Sequence, residues 1–381
     1  MNLPPALIVL PGPKAALAEG NGARVVRPPE ARDHFRDAGL LVVHAALTAR
    51  RLGLEAPPRT PRLLDVLELF AFVRPGAFTA PSAAGLALAL GEPEPAGPVQ
   101  MAEALRRVAE RLLQDLAETP TPSREEALAL AETLARAGWA WGEAVVAALR
   151  SRPVSNAFRS SGLDVWARLD EWEDPGPAGE PGDAPVTPEA SVRRLGVLLE
   201  RAGLEEDRTA QAEYAREAAS VFQPRAREDQ PRMLLAEAGT GIGKTLGYLA
   251  PASAWAEMNG PSVWISTYTR ALQRQIERES AVLFPDPAER RRRAVVRKGR
   301  ENYLCLLNFQ DLANPAQLGA ADLVGLGLTA RWIRASRDGD MTGGDFPAWL
   351  PGLFAGPAAG QASAANLVDR RGECIHAGCP H

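Results

Sequence analysis

Apolar residues follow two different rhythms along the first third of the chain. Residues 6–10 (ALIVL) and 40–45 (LLVVHA) are short unbroken apolar runs, the pattern of buried strands. Residues 63–73 (LLDVLELFAFV) and 101–118 (MAEALRRVAERLLQDLAE) space their apolar residues by three and four, which predicts helices. Strands and helices in alternation predict an α/β domain over 1–118. From 119 to 203 the apolar stripes keep helical spacing, and Trp139, Trp141, Trp166 and Trp172 read as packing residues. This connector is interrupted by EWEDPGPAGEPGDAPVTPE, whose prolines, glycines and acids predict a linker over 174–188. A helical stretch, ASVRRLGVLLERAGL, follows it. There is no internal repeat.

Composition narrows the class without naming a chemistry. A chain of 381 residues has room for two or three domains, and 46% hydrophobic with 24% charged residues suits a globular protein. The start, MNLPPALIVLPGPK, lacks a basic n-region, and no stretch is long and apolar enough to span a bilayer. Three cysteines cannot build a disulfide framework. The expectation is a cytoplasmic, monomeric protein with no membrane partner. A net charge of −4 argues against a uniformly basic nucleic-acid coat but leaves room for a local basic track.

The strongest chemical signal is RMLLAEAGTGIGKTLGYLAPA, residues 232–252. It predicts a strand, a glycine turn and a helix starting at the lysine. Gly239, Gly241 and Gly243, with Thr240 and Ile242 between them, let the backbone turn its N–H groups inward on phosphate. Lys244 can reach the β- and γ-phosphates of ATP, and Thr245 can place its hydroxyl on Mg²⁺. The helix N-terminus adds partial positive charge. Ala238 stands where the common pattern has glycine. The competing reading is a glycine-rich strand–helix turn without a ligand.

Flanking segments offer further candidates. Upstream, Arg208 and Gln211 lie in EDRTAQAEYAREAASVFQPR. A glutamine amide can pair with both the amino group and a ring nitrogen of adenine; a polar helix face is the alternative. Downstream, SVWISTYTRALQRQIERE predicts a second strand-to-helix junction. Thr267, Thr269 and Arg270 crowd its helix start, with Gln273 and Arg274 one turn on. Such a cluster can hold a nucleic-acid phosphate or can simply cap the helix. The run ERRRRAVVRKGRENYLC then sets Arg290 to Arg293, Arg297, Lys298 and Arg300 before Tyr303 and Cys305. A basic track ending in an aromatic suits a nucleic-acid backbone; a solvated face is the alternative.

Cys374 and Cys379 lie in the closing RRGECIHAGCPH, far from Cys305. That segment is too polar for a core, and its His376 and His381 would let zinc bind a mixed Cys/His set.

In order, AEAGTGIGKTLGYLAP, WISTYTRALQRQ and RKGRENYLC resemble the iron–sulfur superfamily 2 DNA helicases of the DinG/XPD type, the bacterial DinG-like branch above all. The resemblance covers about residues 204–381. It implies a P-loop RecA-like first motor domain, incomplete here, over 204–300, and an iron–sulfur insertion, truncated, over 301–381. It makes Cys305, Cys374 and Cys379 three of four ligands to a 4Fe–4S cluster, in preference to zinc. The fourth cysteine, the Asp-Glu-Ala-His box and the second motor domain would lie further on, so the chain reads as the N-terminal fragment of a longer protein. The implied activity is ATP-dependent 5′→3′ translocation on single-stranded DNA with strand separation, in DNA repair. Arg208, Gln211 and residues 239–245 would hold ATP. Thr267, Thr269, Arg270, Gln273, Arg297, Lys298, Arg300 and Tyr303 would hold DNA. The alternative is a P-loop ATPase switch with a zinc-stabilised insertion and no unwinding.

Some DinG-like helicases carry a front exonuclease domain of the DEDD type, and LVVHAALTARRLGL followed by LLDVLELFAFVRPGAFTAPSAAGLALALG resembles it faintly. That chemistry needs carboxylates holding two metal ions. ALIVLPGPKAALAEG has no acidic pair ending its first strand, and Ala49 stands where an aspartate is expected. His44 then reads as a strand-end residue and Asp65 as a helix cap. The expectation is a degenerate, inactive exonuclease-like α/β domain, with an active nuclease as the competing reading.

Overall fold

The computed structural model describes the chain except residues 1–2, 13, 21, 38, 59–62, 154–159, 170–181, 205–207, 228, 240, 315–317, 355–365, 371, 373, 375–378 and 380. In chain order it contains β1 (Ala6–Val9), β2 (Ala15–Glu19), β3 (Gly22–Val26), α1 (Pro28–Asp37), β4 (Leu40–Val42), α2 (Ala45–Arg51), β5 (Leu63–Asp65), α3 (Val66–Val73), α4 (Ala83–Ala89), α5 (Pro98–Glu118), α6 (Thr121–Arg136) and α7 (Gly142–Leu149). There follow α8 (Pro188–Arg201), α9 (Thr209–Ala218), α10 (Lys244–Asn259), α11 (Arg270–Leu283) and α12 (Pro287–Arg293), then α13 (Leu306–Leu312), α14 (Ala320–Ala335) and α15 (Leu350–Phe354). Two compact units result: 1–170 joined by 298–381, and 171–297.

The first unit is built on a mixed sheet of order β3-β2-β1-β4-β5. β1 runs parallel to β4, and β4 to β5, while β2 and β3 are antiparallel neighbours. β1 and β4 are buried along their whole length, which is why both are continuous apolar runs. β2 and β3 are absent from the sequence reading. Their AALAE and GARVV are small-residue segments with weak strand signals, and the pairing to β1 decides their conformation. Gly20, at φ 56°, makes the turn between them.

The helix expected over 63–73 begins only at Val66, because Leu63–Asp65 pair with β4. Asp65 makes the switch. Its carboxylate accepts from the Leu67 amide at 3.1 Å, ending the strand and capping α3. The helix expected from 101 starts at Pro98, whose fixed φ suits a first turn.

Residues 298–381 share one core with residues 1–170. α14 is buried on most sides, including Leu326, Leu328 and Trp332. A Cβ on Gly327 would come within 2.6 Å of a Leu134 methyl, so a larger residue there requires that side chain to move. Arg331 donates its Nε to the Phe72 carbonyl at 2.9 Å and lies 4.9 Å from the Phe72 ring centroid. Burial pushes its pKa down to about 10. Trp141, fully buried, donates its indole N–H to the Asp65 carbonyl at 2.7 Å.

In the second unit α8, α9 and α10 pack around Leu195, Leu198, Ala215, Leu246 and Leu249. Thr187 caps α8, accepting from Ala190, so the expected linker ends in a helix start at Pro188. The two strands expected before Gly239 and before Thr267 do not form: residues 231–239 and 261–266 have no ladder partner among the described residues. A strand needs a neighbour for its N–H and C=O groups, and here the apolar side chains point to solvent instead. Met233 and Leu235 are 79% and 91% exposed, and Trp264 is 82% exposed.

Candidate nucleotide site

The glycine turn survives without its strand. Gly241 and Gly243 sit at φ 87° and 80°, backbone that residues with a Cβ rarely adopt, and Gly243 is the N-cap of α10. A Cβ on Gly243 would also meet the Gln211 amide nitrogen at 2.5 Å. α10 begins at Lys244, as expected from the sequence. Lys244 curls back over the turn, its Nζ donating to the carbonyls of Ala238 at 2.9 Å and Gly239 at 2.7 Å. The ammonium thus stands over the mouth of the loop, beside the positive end of α10. Ile242 is half-buried and Gly239 exposed; Thr240 lies outside the described residues.

Gln211 is placed against the loop itself. It is buried on α9 and donates Nε2 to the Gly243 carbonyl at 2.7 Å, while its Oε1 has no partner among the described residues. In this arrangement the amide braces the turn through Nε2. Arg208 stands at the N-cap of α9, half-buried. A Cβ on Gly247 would lie 2.7 Å from the Tyr214 ring, so α9 and α10 approach closely behind the loop.

Thr245 is buried, and its hydroxyl accepts from Gln275 Nε2 of α11 at 2.9 Å. Tyr248 lies beside the same hydroxyl, and burial raises the Tyr248 pKa. Gln275 and Tyr248 were missed by the sequence reading. Gln275 lies two positions past the Gln273 it singled out, and only the turn of α11 shows which of the two faces α10.

The proposed DNA-holding residues belong to both units. Thr269 caps α11, accepting from the Leu272 amide at 3.2 Å, which is the plain capping role. Thr267 and Gln273 are half-buried nearby; Arg270 is the first residue of α11, its side chain outside the description. Arg297 is exposed and ends the second unit, whereas Lys298, Arg300 and Tyr303 belong to the first. Lys298 forms an ion pair with the buried Asp340, and its backbone N–H donates to the Tyr303 hydroxyl at 3.0 Å. Its ammonium is thus paired within the first unit.

Around the cysteines the backbone converges. Cys305 donates its N–H to the Leu367 carbonyl at 2.7 Å, and Leu304 bridges Val368. Cys374 donates its N–H to an Asp369 carboxylate oxygen at 3.2 Å. All three thiols are half-buried and outside any disulfide. His381 contacts Gln310 Oε1 at 2.6 Å; His376 lies outside the described residues. Among the described residues no three His, Cys, Asp or Glu side chains gather as a metal would require.

In the front unit His44, at φ 57°, caps α2 through Nδ1, which accepts from the Leu47 amide at 3.4 Å. Asp65 accepts from the His44 and Ala45 amides at 3.1 and 2.6 Å as well as from Leu67. Both residues are structural caps here. Glu68 accepts from the Trp139 indole at 2.8 Å. Among the described residues no helix is long and apolar enough to cross a membrane.

No family model and no solved structure matches the chain. Curated relatives do. The Bacillus subtilis protein named 3′-5′ exonuclease DinG is 33% identical over 140 residues, 36% of this chain and 14% of that protein. The ATP-dependent DNA helicase DinG of Photobacterium profundum is 34% identical over 125 residues, 31% of this chain and 18% of its own length. The ATP-dependent helicase DinG of Mycobacterium tuberculosis is 44% identical over 77 residues, 19% and 12% of the two chains. The chain thus spans less than a fifth of the length of each. These partial matches support one family for the chain, the DinG-like helicases.

Proposed function

We propose that this chain carries the nucleotide-binding part of an ATP-dependent DNA helicase that moves 5′→3′ along single-stranded DNA. The observation that carries the reading is the turn from Gly239 to Thr245 at the N-terminus of α10, with Lys244 over its mouth. When ATP enters, Lys244 exchanges its two loop carbonyls for phosphate oxygens, and the N–H groups of the turn and of the first turn of α10 hold the rest. Bound Mg²⁺ neutralises phosphate charge as it develops in phosphoryl transfer. The hydroxyl of Thr245 is the side-chain oxygen of this chain that would hold it.

The same reading assigns Cys305, Cys374 and Cys379 to a 4Fe–4S cluster. The tie between Cys305 and Leu367 and the three unpaired thiols support it. Three thiolates are one short of the set such a cluster takes, and the described residues do not gather them. No step is drawn through the cluster. The front sheet is read as an exonuclease-like domain that lacks its catalytic carboxylates.

Titration of the full chain with a fluorescent ATP analogue tests the nucleotide reading. Lys244→Ala removes a charge-assisted contact and should weaken binding by roughly ten- to a hundredfold. Equal affinity for both proteins would remove the phosphate loop from the account.

A further inference from the structure

One side chain outside the phosphate loop reaches the atom that would meet the cation. Gln275 Nε2 donates to Thr245 Oγ1 at 2.9 Å. The amide has a second hydrogen, and Glu279 lies beside it one turn further along α11. On its other side the hydroxyl has Tyr248 as a neighbour. A hydroxyl oxygen that accepts one hydrogen bond from Gln275 keeps a lone pair. That lone pair is what a divalent cation needs. Without Gln275 the hydroxyl is free to rotate on its buried Thr245, and ordering it again would weigh against cation binding.

We infer that Gln275 is a positioning residue for the magnesium end of the nucleotide site, holding the Thr245 hydroxyl with a lone pair available to the cation. The inference rests on the nucleotide reading above and adds to it a residue on a different helix. It also gives that helix a function. α11 starts at Thr269 and Arg270, the proposed DNA grip, and reaches Thr245 through Gln275. A displacement of α11 is therefore felt first at the cation ligand and not at Lys244.

The test is the gain in affinity that Mg²⁺ brings. A ribose-labelled fluorescent ATP is titrated into the full chain in Mg²⁺ and again in excess EDTA, and the ratio of the two affinities is read. Gln275→Leu keeps the volume and removes the donor, and the ratio should fall by roughly three- to tenfold. An unchanged ratio in Gln275→Leu, or an affinity lowered equally with and without Mg²⁺, overturns the role of Gln275 and leaves the nucleotide reading intact. A wild-type chain that binds no labelled ATP in either buffer overturns both.

Discussion

Gln211 and Gly243 are joined by a hydrogen bond of 2.7 Å from the glutamine amide to the glycine carbonyl, with no space for a side chain on the glycine. The contact offers Gln211 a bracing role beside the base-reading one. A residue that reads adenine should affect ATP and not GTP, while a residue that braces the turn should affect every nucleoside triphosphate alike. Gln211→Leu is expected to weaken ATP and GTP binding by the same factor, about three- to tenfold. Competition titrations with both nucleotides decide it. A loss confined to ATP would return Gln211 to the base.

Glu68 gives the front unit a pH dependence. Loss of hydration, ahead of the neighbouring charge of Asp65, pushes its carboxyl up from the usual 4.5 to about 8, and the Trp139 indole opposes this only in part. Between those values the unfolded chain is ionised while the folded one keeps the proton. The unfolded state then binds fewer protons, so stability falls as pH rises through the window and is fully present only below it. Glu68→Gln keeps an acceptor for Trp139 and removes the ionisation. It should raise the stability of the first unit by about 1–2 kcal/mol at pH 8 and by little at pH 5. Thermal melts at the two pH values measure the difference; a variant equally stabilised at both would show that the carboxyl is not the cause.

The apolar runs at β1 and β4 were legible because both strands are buried along their length. β2 was not, since alanines carry no strand preference of their own and pairing with β1 decides the matter. The glycine turn and the start of α10 were legible from local chemistry alone: positive φ and a helix N-terminus are properties of a few adjacent residues. The strands before Gly239 and Thr267 were read from apolar content, but a strand is a relation between segments, and the partners are missing among the described residues. The same limit applies to the site. Gln275 and Gln273 are two residues of one type on one helix, and sequence does not say which turns toward Thr245. Nor does it say that Lys298 neutralises Asp340, forty-two positions away.

His44 and Asp65 bear on whether the front sheet cuts nucleic acid. The Asp65 carboxylate already accepts from three backbone amides, and the His44 ring nitrogen caps α2. Neither has the geometry of a metal ligand shared with other carboxylates, which two-metal hydrolysis requires. The full chain with Mg²⁺ or Mn²⁺ should release no nucleotides from single-stranded DNA. Release that depends on metal and disappears in Asp65→Asn would establish a nuclease here, at odds with the capping role.

Cys305 provides the last test, because its place is fixed from two sides. Its N–H is held by Leu367, and its carbonyl accepts from the Phe309 amide at 3.0 Å at the start of α13. Leu367 leads within a few residues to Asp369, which holds the Cys374 amide. The chain therefore draws the segment before Cys374 toward Cys305 across more than sixty intervening positions, although the three thiols do not close on a common centre. Thiolates bind iron and zinc alike, so identity must come from the metal itself. Chain purified without oxygen is expected to contain iron and acid-labile sulfide. Cys305→Ala, Cys374→Ala and Cys379→Ala should each lower both by most of their value, whereas His381→Ala should not. Zinc without sulfide, lost in His381→Ala as well as in the cysteine variants, would favour a mixed Cys/His site. Metal content that is negligible in the wild-type chain would remove the cluster from the proposed function while leaving the nucleotide site as it stands.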